Sequence, residues 1–242
     1  MIQKIDLSQK IGNSHISILY PGQLLDINDS GIGSIGRIDQ ANIQGGITIK
    51  MHPHINDEIL SYFRVGKAIH TDSAGITETV SRKKLMLMKA GKVFYHEEKI
   101  IDRLEGLQIF IRPMTADYEP QVLFRDLDNE DSINTWRLLA SNRTNEKLNF
   151  TSETAIFDIT ITDNRNFSLP VTEVKNPIFI IYTFQGSLKV NDSILLNKGE
   201  CVIFDETIIH FSTNSKAEVV LFVTNKNQDC FKQGMFSGNK YE

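Results

Sequence analysis

From residue 47 to residue 112 the chain is a succession of short apolar runs, each closed by a turn signal. Ile47, Ile49 and Met51 alternate with Thr48, Lys50 and His52. Runs follow at 58–65, 67–70, 76–80, 84–89, 93–96 and 106–112, broken by Gly66, by Asp72-Ser73-Ala74-Gly75 and by Ala90-Gly91. Short strands at such regular spacing predict an all-β sandwich or barrel. Residues 113–150 are polar and read as a connection, with a strand or short helix around 133–139. The rhythm then resumes at 154–161, 179–184, 187–190, 194–196, 200–204 and 219–223, and a tail begins at about residue 226. Both halves run strand, Gly turn, strand, basic or Lys-Gly corner, strand. The expectation is two related β-barrels packed together, 1–120 and 121–242, the second opening with the linker.

The remaining segments are less informative. Residues 1–20 alternate loosely through Gln3, Ile5, Leu7, Ile16 and Ile18, which suggests a capping strand or two. Residues 21–46 are rich in Gly, Asp, Asn and Ser, the composition of turns and loops. Within them Gly31-Ile32-Gly33-Ser34-Ile35-Gly36 has the spacing of a dinucleotide fingerprint, but no apolar strand leads in and no amphipathic helix leads out, so it reads as a loop. A net charge of −4 offers no clustered basic surface for direct nucleic-acid binding, and Arg82-Lys83 reads as a solvated corner. No apolar run is long enough to span a membrane and no signal peptide is evident, so a cytoplasmic location is expected. Of the two cysteines, Cys201 reads as a core residue and Cys230 as an exposed thiol in a polar tail.

Chemistry concentrates in two places. Side chains at i and i+2 of a strand share a face, so His52 and His54 can aim two imidazoles at one point. By the same rule His96 and Glu98 share a face, with Glu97 turned away. Two strands facing each other across a small barrel would bring His52, His54, His96 and Glu98 together. Three imidazoles and a carboxylate suit a first-row transition metal such as Fe(II). The second half holds only His210, which reads as partly buried and hydrogen-bonded, so no metal is expected there.

These residues carry a resemblance. Gly46, His52-x-His54 and Glu58 match the first half of the cupin motif. The longer string His52-Pro53-His54-x-x-x-Glu58-Ile59-Leu60-x-Tyr62, His70-x-Asp72-Ser73-x-Gly75, Met88-x-Ala90-Gly91 and His96-x-Glu98 resembles the pirin family of two-cupin proteins, in particular bacterial members with quercetinase activity. The resemblance is strong over 46–98 and looser elsewhere between 15 and 225. It implies two cupin barrels, the first metal-binding and the second degenerate. It also implies a metal held by His52, His54, His96 and Glu98, with Glu58 in a structural or reserve role. This chain departs from the family in having Arg82-Lys83 at a Gly corner, Val65 for a Glu, and Lys92-Val93-Phe94-Tyr95 for a small turn, which predicts a narrowed pocket.

The resemblance implies one divalent metal, Fe(II) ahead of Ni, Mn, Cu, Co or Zn. The implied activity is a dioxygenase taking O2 and a flavonol (quercetin-type) or related small aromatic or enol substrate, with Glu98 as the catalytic base. The alternative it leaves open is a non-enzymatic, redox- or metal-dependent regulatory protein that binds a protein partner. A monomer or weak dimer is expected.

Overall fold

The computed structural model describes residues 1–5, 10–163, 166–207 and 209–238; Leu7 lies outside them. The first half contributes β1 (Ile2–Lys4), β2 (Lys10–Gly12), β3 (Ile16–Leu19), β4 (Ile35–Ile43), β5 (Thr48–His54), β6 (Glu58–Val65), β7 (Lys67–Asp72), β8 (Thr77–Ser81), β9 (Lys84–Lys89), β10 (Phe94–Ile100) and β11 (Leu104–Ile111). Then come β12 (Gln121–Asp126), β13 (Arg137–Ser141), β14 (Thr154–Ile161), β15 (Phe167–Ser168), β16 (Pro177–Gln185), β17 (Ser187–Val190), β18 (Ile194–Asn197), β19 (Cys201–Phe204), β20 (His210–Ser212) and β21 (Ala217–Asn225). A 3₁₀ turn at Pro21–Leu24 interrupts them. The connection expected to hold a strand or short helix forms strand β13, preceded by a parallel bridge from Ile133 to Thr160.

One long curled sheet, β2-β3-β4-β11-β6-β9-β8-β7-β10-β5, makes the first barrel, and β12 pairs with β9. The second is built from β1-β19-β16-β21-β14-β13 and β15-β20-β17-β18. The architecture is therefore all-β, two cupin barrels in one chain. Strand β9 shows why the two cohere. Met86 and Met88 turn into the first barrel, while Leu85 and Leu87 turn outward into a core shared with Ile156, Ile180, Tyr182 and Phe222 of the second. A strand buried on both faces reads as a continuous apolar run, as 84–89 does. The second barrel is filled by Phe157, Phe179, Ile181, Leu188, Phe204 and Phe211, among others.

Polar contacts also cross between the halves. Tyr62 Oη donates to Asp158 at 2.9 Å. Arg64, 2% exposed, donates to Glu218 at 2.8 Å and to Asp131 at 2.6 Å. Arg82, read from sequence as a solvated corner, is drawn into this cluster through Asp131 and the carbonyl of Arg64.

The C-terminal segment returns to the first barrel. Phe231 N donates to Pro113 O, and Met235 N to Ile55 O, both at 2.8 Å. Fully buried Asp57 accepts from Phe236 N at 3.0 Å and from Ser237 N and Oγ at 2.8 and 2.6 Å. Buried Arg112 donates to Ser237 O at 2.8 Å. Gly36 is required here, because a Cβ would lie 2.3 Å from Ser237 O. This closure buries Cys230, expected to be exposed, with its Sγ 3.5 Å from Gly33 O. His210, expected to be partly buried, is exposed.

Candidate metal centre

Strands β5 and β10 are hydrogen-bonded neighbours rather than strands facing across the barrel, and His96 pairs directly with His52. The register slips between His96 and Glu98, so that Glu98 pairs with Ile49. This bulge leaves Lys50 and Met51 both exposed and lets half-buried Ile49 and His52 share the inner face despite their odd spacing. Simple alternation had grouped Met51 with Ile47 and Ile49; an extra residue on one strand reverses that grouping. Strand β5 ends its sheet, which is where Pro53, lacking an N–H, does no harm.

The three imidazoles converge. His54 Nε2 lies 3.2 Å from His52 Nε2 and 3.0 Å from His96 Nε2. Among the described residues, these three form the cluster whose ligand atoms all lie within 4.8 Å of one another. His54 and His96 are buried, while His52 is half-buried at the edge. Burial, then the neighbouring His52 and Arg37, depresses His54 to about 3. Burial, then His54, His52 and His70, depresses His96 to about 2. Both rings therefore stay neutral at any ordinary pH and keep lone pairs to offer. His52 Nδ1 lies 2.8 Å from Lys50 O, a bond only an Nδ1–H can make, so its Nε2 is also a lone-pair donor. Three Nε2 atoms that all present lone pairs to one another repel unless a cation, or a proton on one of them, lies between. This donor set fits a divalent first-row metal.

Glu98 is buried on the same strand face as His96, but it stays outside that cluster. Its oxygens accept from Gln108 Nε2 at 3.2 and 3.0 Å. Burial raises its carboxyl to about 7, opposed by the Gln108 bond. Glu58 is turned elsewhere: both of its oxygens accept from Thr151 N, at 3.1 and 3.0 Å. Phe94 packs inward with Ile59, Met88 and Phe110, whereas Val93 and Tyr95 are exposed.

Two features escaped the sequence. Phe236, from the C-terminal segment, lies 5.1 Å from His54 and 5.4 Å from Phe110, ring to ring, and the Arg37 guanidinium lies over both phenyl rings. Behind His96 stand His70 and Asp72, read above only as part of a turn motif. His96 Nδ1 is 3.3 Å from His70 Nδ1, and His70 Nε2 is 2.9 Å from Asp72 Oδ2.

A two-barrel β protein with a three-histidine cluster in its first barrel and an apolar core in its second is a bicupin with, among the described residues, one candidate metal centre. Residues 5–111 match the sequence profile of the pirin family. A quercetin 2,3-dioxygenase of Escherichia coli K12 is 25% identical over 201 residues, covering 81% of this chain and 85% of that protein. Another, from Escherichia coli O157:H7, is 32% identical over 106 residues, 43% of this chain and 46% of that one. The fold matches bacterial pirin YhhW from Escherichia coli, solved in complex with nickel(II). The TM-score is 0.78 at 20% identity, over 93% of this chain and 99% of that one. Among the described residues no helix is long and apolar enough to cross a membrane.

Proposed function

We propose that the chain is a metal-dependent dioxygenase acting on a flavonol or a related small enol. The observation that carries the reading is the convergence of the His52, His54 and His96 Nε2 atoms, joined to the likeness with quercetin 2,3-dioxygenases. His52, His54 and His96 would hold the metal, Fe(II) ahead of the other first-row ions, and Glu98 is proposed as the fourth ligand. The nickel in the YhhW complex keeps Ni(II) among the candidates. A bound metal supplies Lewis acidity, lowering the pKa of a coordinated hydroxyl. Glu98, with a carboxyl raised to about 7, has the proton affinity to take up a hydroxyl proton near neutrality. His52 is the half-buried member of the three, and the Phe110 and Phe236 rings flank His54. The division into 1–120 and 121–242 is part of this proposal, with β1 and β12 exchanged across it.

The test is metal content by elemental mass spectrometry, beside oxygen uptake with quercetin, for the wild type, His52→Ala and Glu98→Gln. Near-stoichiometric metal and oxygen uptake, both lost in His52→Ala, support the reading. A Glu98→Gln protein that keeps its metal but loses turnover makes Glu98 the base rather than a ligand. Full metal and full turnover in His52→Ala would overturn the centre. Metal without oxygen uptake on any flavonol would overturn the dioxygenase while leaving the centre in place.

A further inference from the structure

We propose that His70 and Asp72 are positioning residues for the metal centre: they fix the tautomer of His96 so that its Nε2 lone pair faces His52 and His54. The inference rests on the reading of the three-histidine cluster as a metal site.

Proton donors and acceptors alternate along a string of three side chains. Strand pairing sets the string up, since His96 pairs with Asp72 and Glu98 with His70 across β7 and β10. His70 is fully buried, and Asp72 and His96 are 5% and 2% exposed, so water cannot readily substitute for a missing partner. A carboxylate only accepts, so the 2.9 Å contact of Asp72 Oδ2 with His70 Nε2 requires an Nε2–H. A neutral His70 then has a lone pair on Nδ1. The 3.3 Å contact between His70 Nδ1 and His96 Nδ1 is a hydrogen bond only if His96 supplies the proton. His96 is thereby Nδ1–H, and its Nε2, 3.0 Å from His54 Nε2, carries the lone pair. Metal-ligating histidines commonly anchor the distal N–H on an acceptor, and loss of that acceptor typically costs about 10–100-fold in metal affinity. Here the acceptor is a second imidazole, itself oriented by a carboxylate.

The turn motif acquires a reason. Asp72 Oδ1 accepts from Ala74 N at 2.9 Å and Ile76 N at 3.0 Å, and Gly75 closes the turn at φ +84°. With Oδ1 held by the turn, Oδ2 is aimed at His70. The Asp-Ser-Ala-Gly turn thus braces a ligand two side chains away.

Three variants test this, with Zn(II) titrated against a chromophoric chelator and side-chain ¹⁵N NMR recorded on the metal-free protein. His70→Leu removes the acceptor and should weaken Zn(II) binding about 10–100-fold. His70→Asn sets a carbonyl oxygen near the former Nδ1 and should restore most of the affinity. Asp72→Asn keeps an oxygen for the turn but presents an amide N–H to His70 Nε2. That forces His70 to Nδ1–H and His96 to Nε2–H, with a loss similar to that of His70→Leu at unchanged thermal stability. In the wild type the NMR should show His96 protonated at Nδ1. A His96 protonated at Nε2, or a His70→Leu protein that binds Zn(II) as tightly as the wild type, would overturn the role given to His70 and leave the centre standing. A correctly protonated wild type that takes up no Zn(II) would overturn the centre itself.

Discussion

Glu58→Gln separates the metal centre from a carboxylate that the cupin motif places beside it. Glu58 is fully buried, and burial lifts its carboxyl from 4.5 to about 7 against the pull of Thr151 N–H and Lys89. The folded protein therefore holds this proton to higher pH than the unfolded chain does. The stability linked to it is fully present below pH 4.5 and is lost as pH rises through 7. A difference of about 2.5 units at about 1.4 kcal/mol each amounts to roughly 3 kcal/mol. Glutamine keeps an oxygen for Thr151 N and has no proton to lose. Between pH 4 and pH 8 the variant's unfolding free energy should fall by roughly 3 kcal/mol less than that of the wild type. Glu98 is raised through the same window but is common to both proteins and cancels in the comparison. The assay is urea unfolding followed by circular dichroism at several pH values, with metal content measured on the same samples. Parallel pH profiles for the two proteins would refute the argument. Loss of metal in Glu58→Gln would make Glu58 a ligand and displace Glu98 from that role.

Other perturbations follow from the same contacts. Gly36→Ala should push the segment around Ser237 off the first barrel, costing about 2–4 kcal/mol in hydrogen bonds to Asp57 and Arg112, and should expose the C-terminus to limited proteolysis; an equally resistant C-terminus would count against it. Arg64→Met leaves Glu218 and Asp131 short of a cation in a buried cluster and should cost about 3 kcal/mol by urea unfolding; an unchanged midpoint would show that Arg82 and Lys216 carry the cluster alone. Cys230, buried and with its thiol raised by that burial, should react with a thiol reagent far more slowly in native protein than in urea; equal rates would mean that the C-terminal segment stands open.

The sequence was most legible where structure is local. Strand period alone put His52 with His54 and His96 with Glu98, because two residues along a strand is a geometric constant. The β5 bulge was not legible: Ile47, Ile49 and Met51 look like one face, and only the pairing with β10 shows where the count slips. His70 was hidden for a different reason. Its neighbours in sequence form a turn, so it read as punctuation, whereas its chemistry depends on β10, which places His96 at its side. Phe236 lies in a stretch with no periodicity, and its segment is held by Asp57, far away in sequence.

The residues that sequence reasoning missed share a position in space. Each touches a ligand rather than the proposed metal position: Phe236 packs against His54, Lys50 O accepts from His52, and His70 faces His96. A ligand set is written as residue types at a spacing. Its support is written in register, in tautomer and in a chain end folded back, and none of these has a sequence period. This has a consequence for variants across such a centre. Substituting a ligand removes a donor whatever else is present, but substituting a support is felt only through the ligand it orients. His70→Leu and Gly36→Ala act on different ligands, His96 and His54, from opposite sides of the cluster. If each works by loosening its own ligand, the double variant should lose more Zn(II) affinity than the sum of the single losses, because His52 alone remains oriented. Additive losses, measured by the same chelator titration, would show that the three imidazoles are held independently of one another.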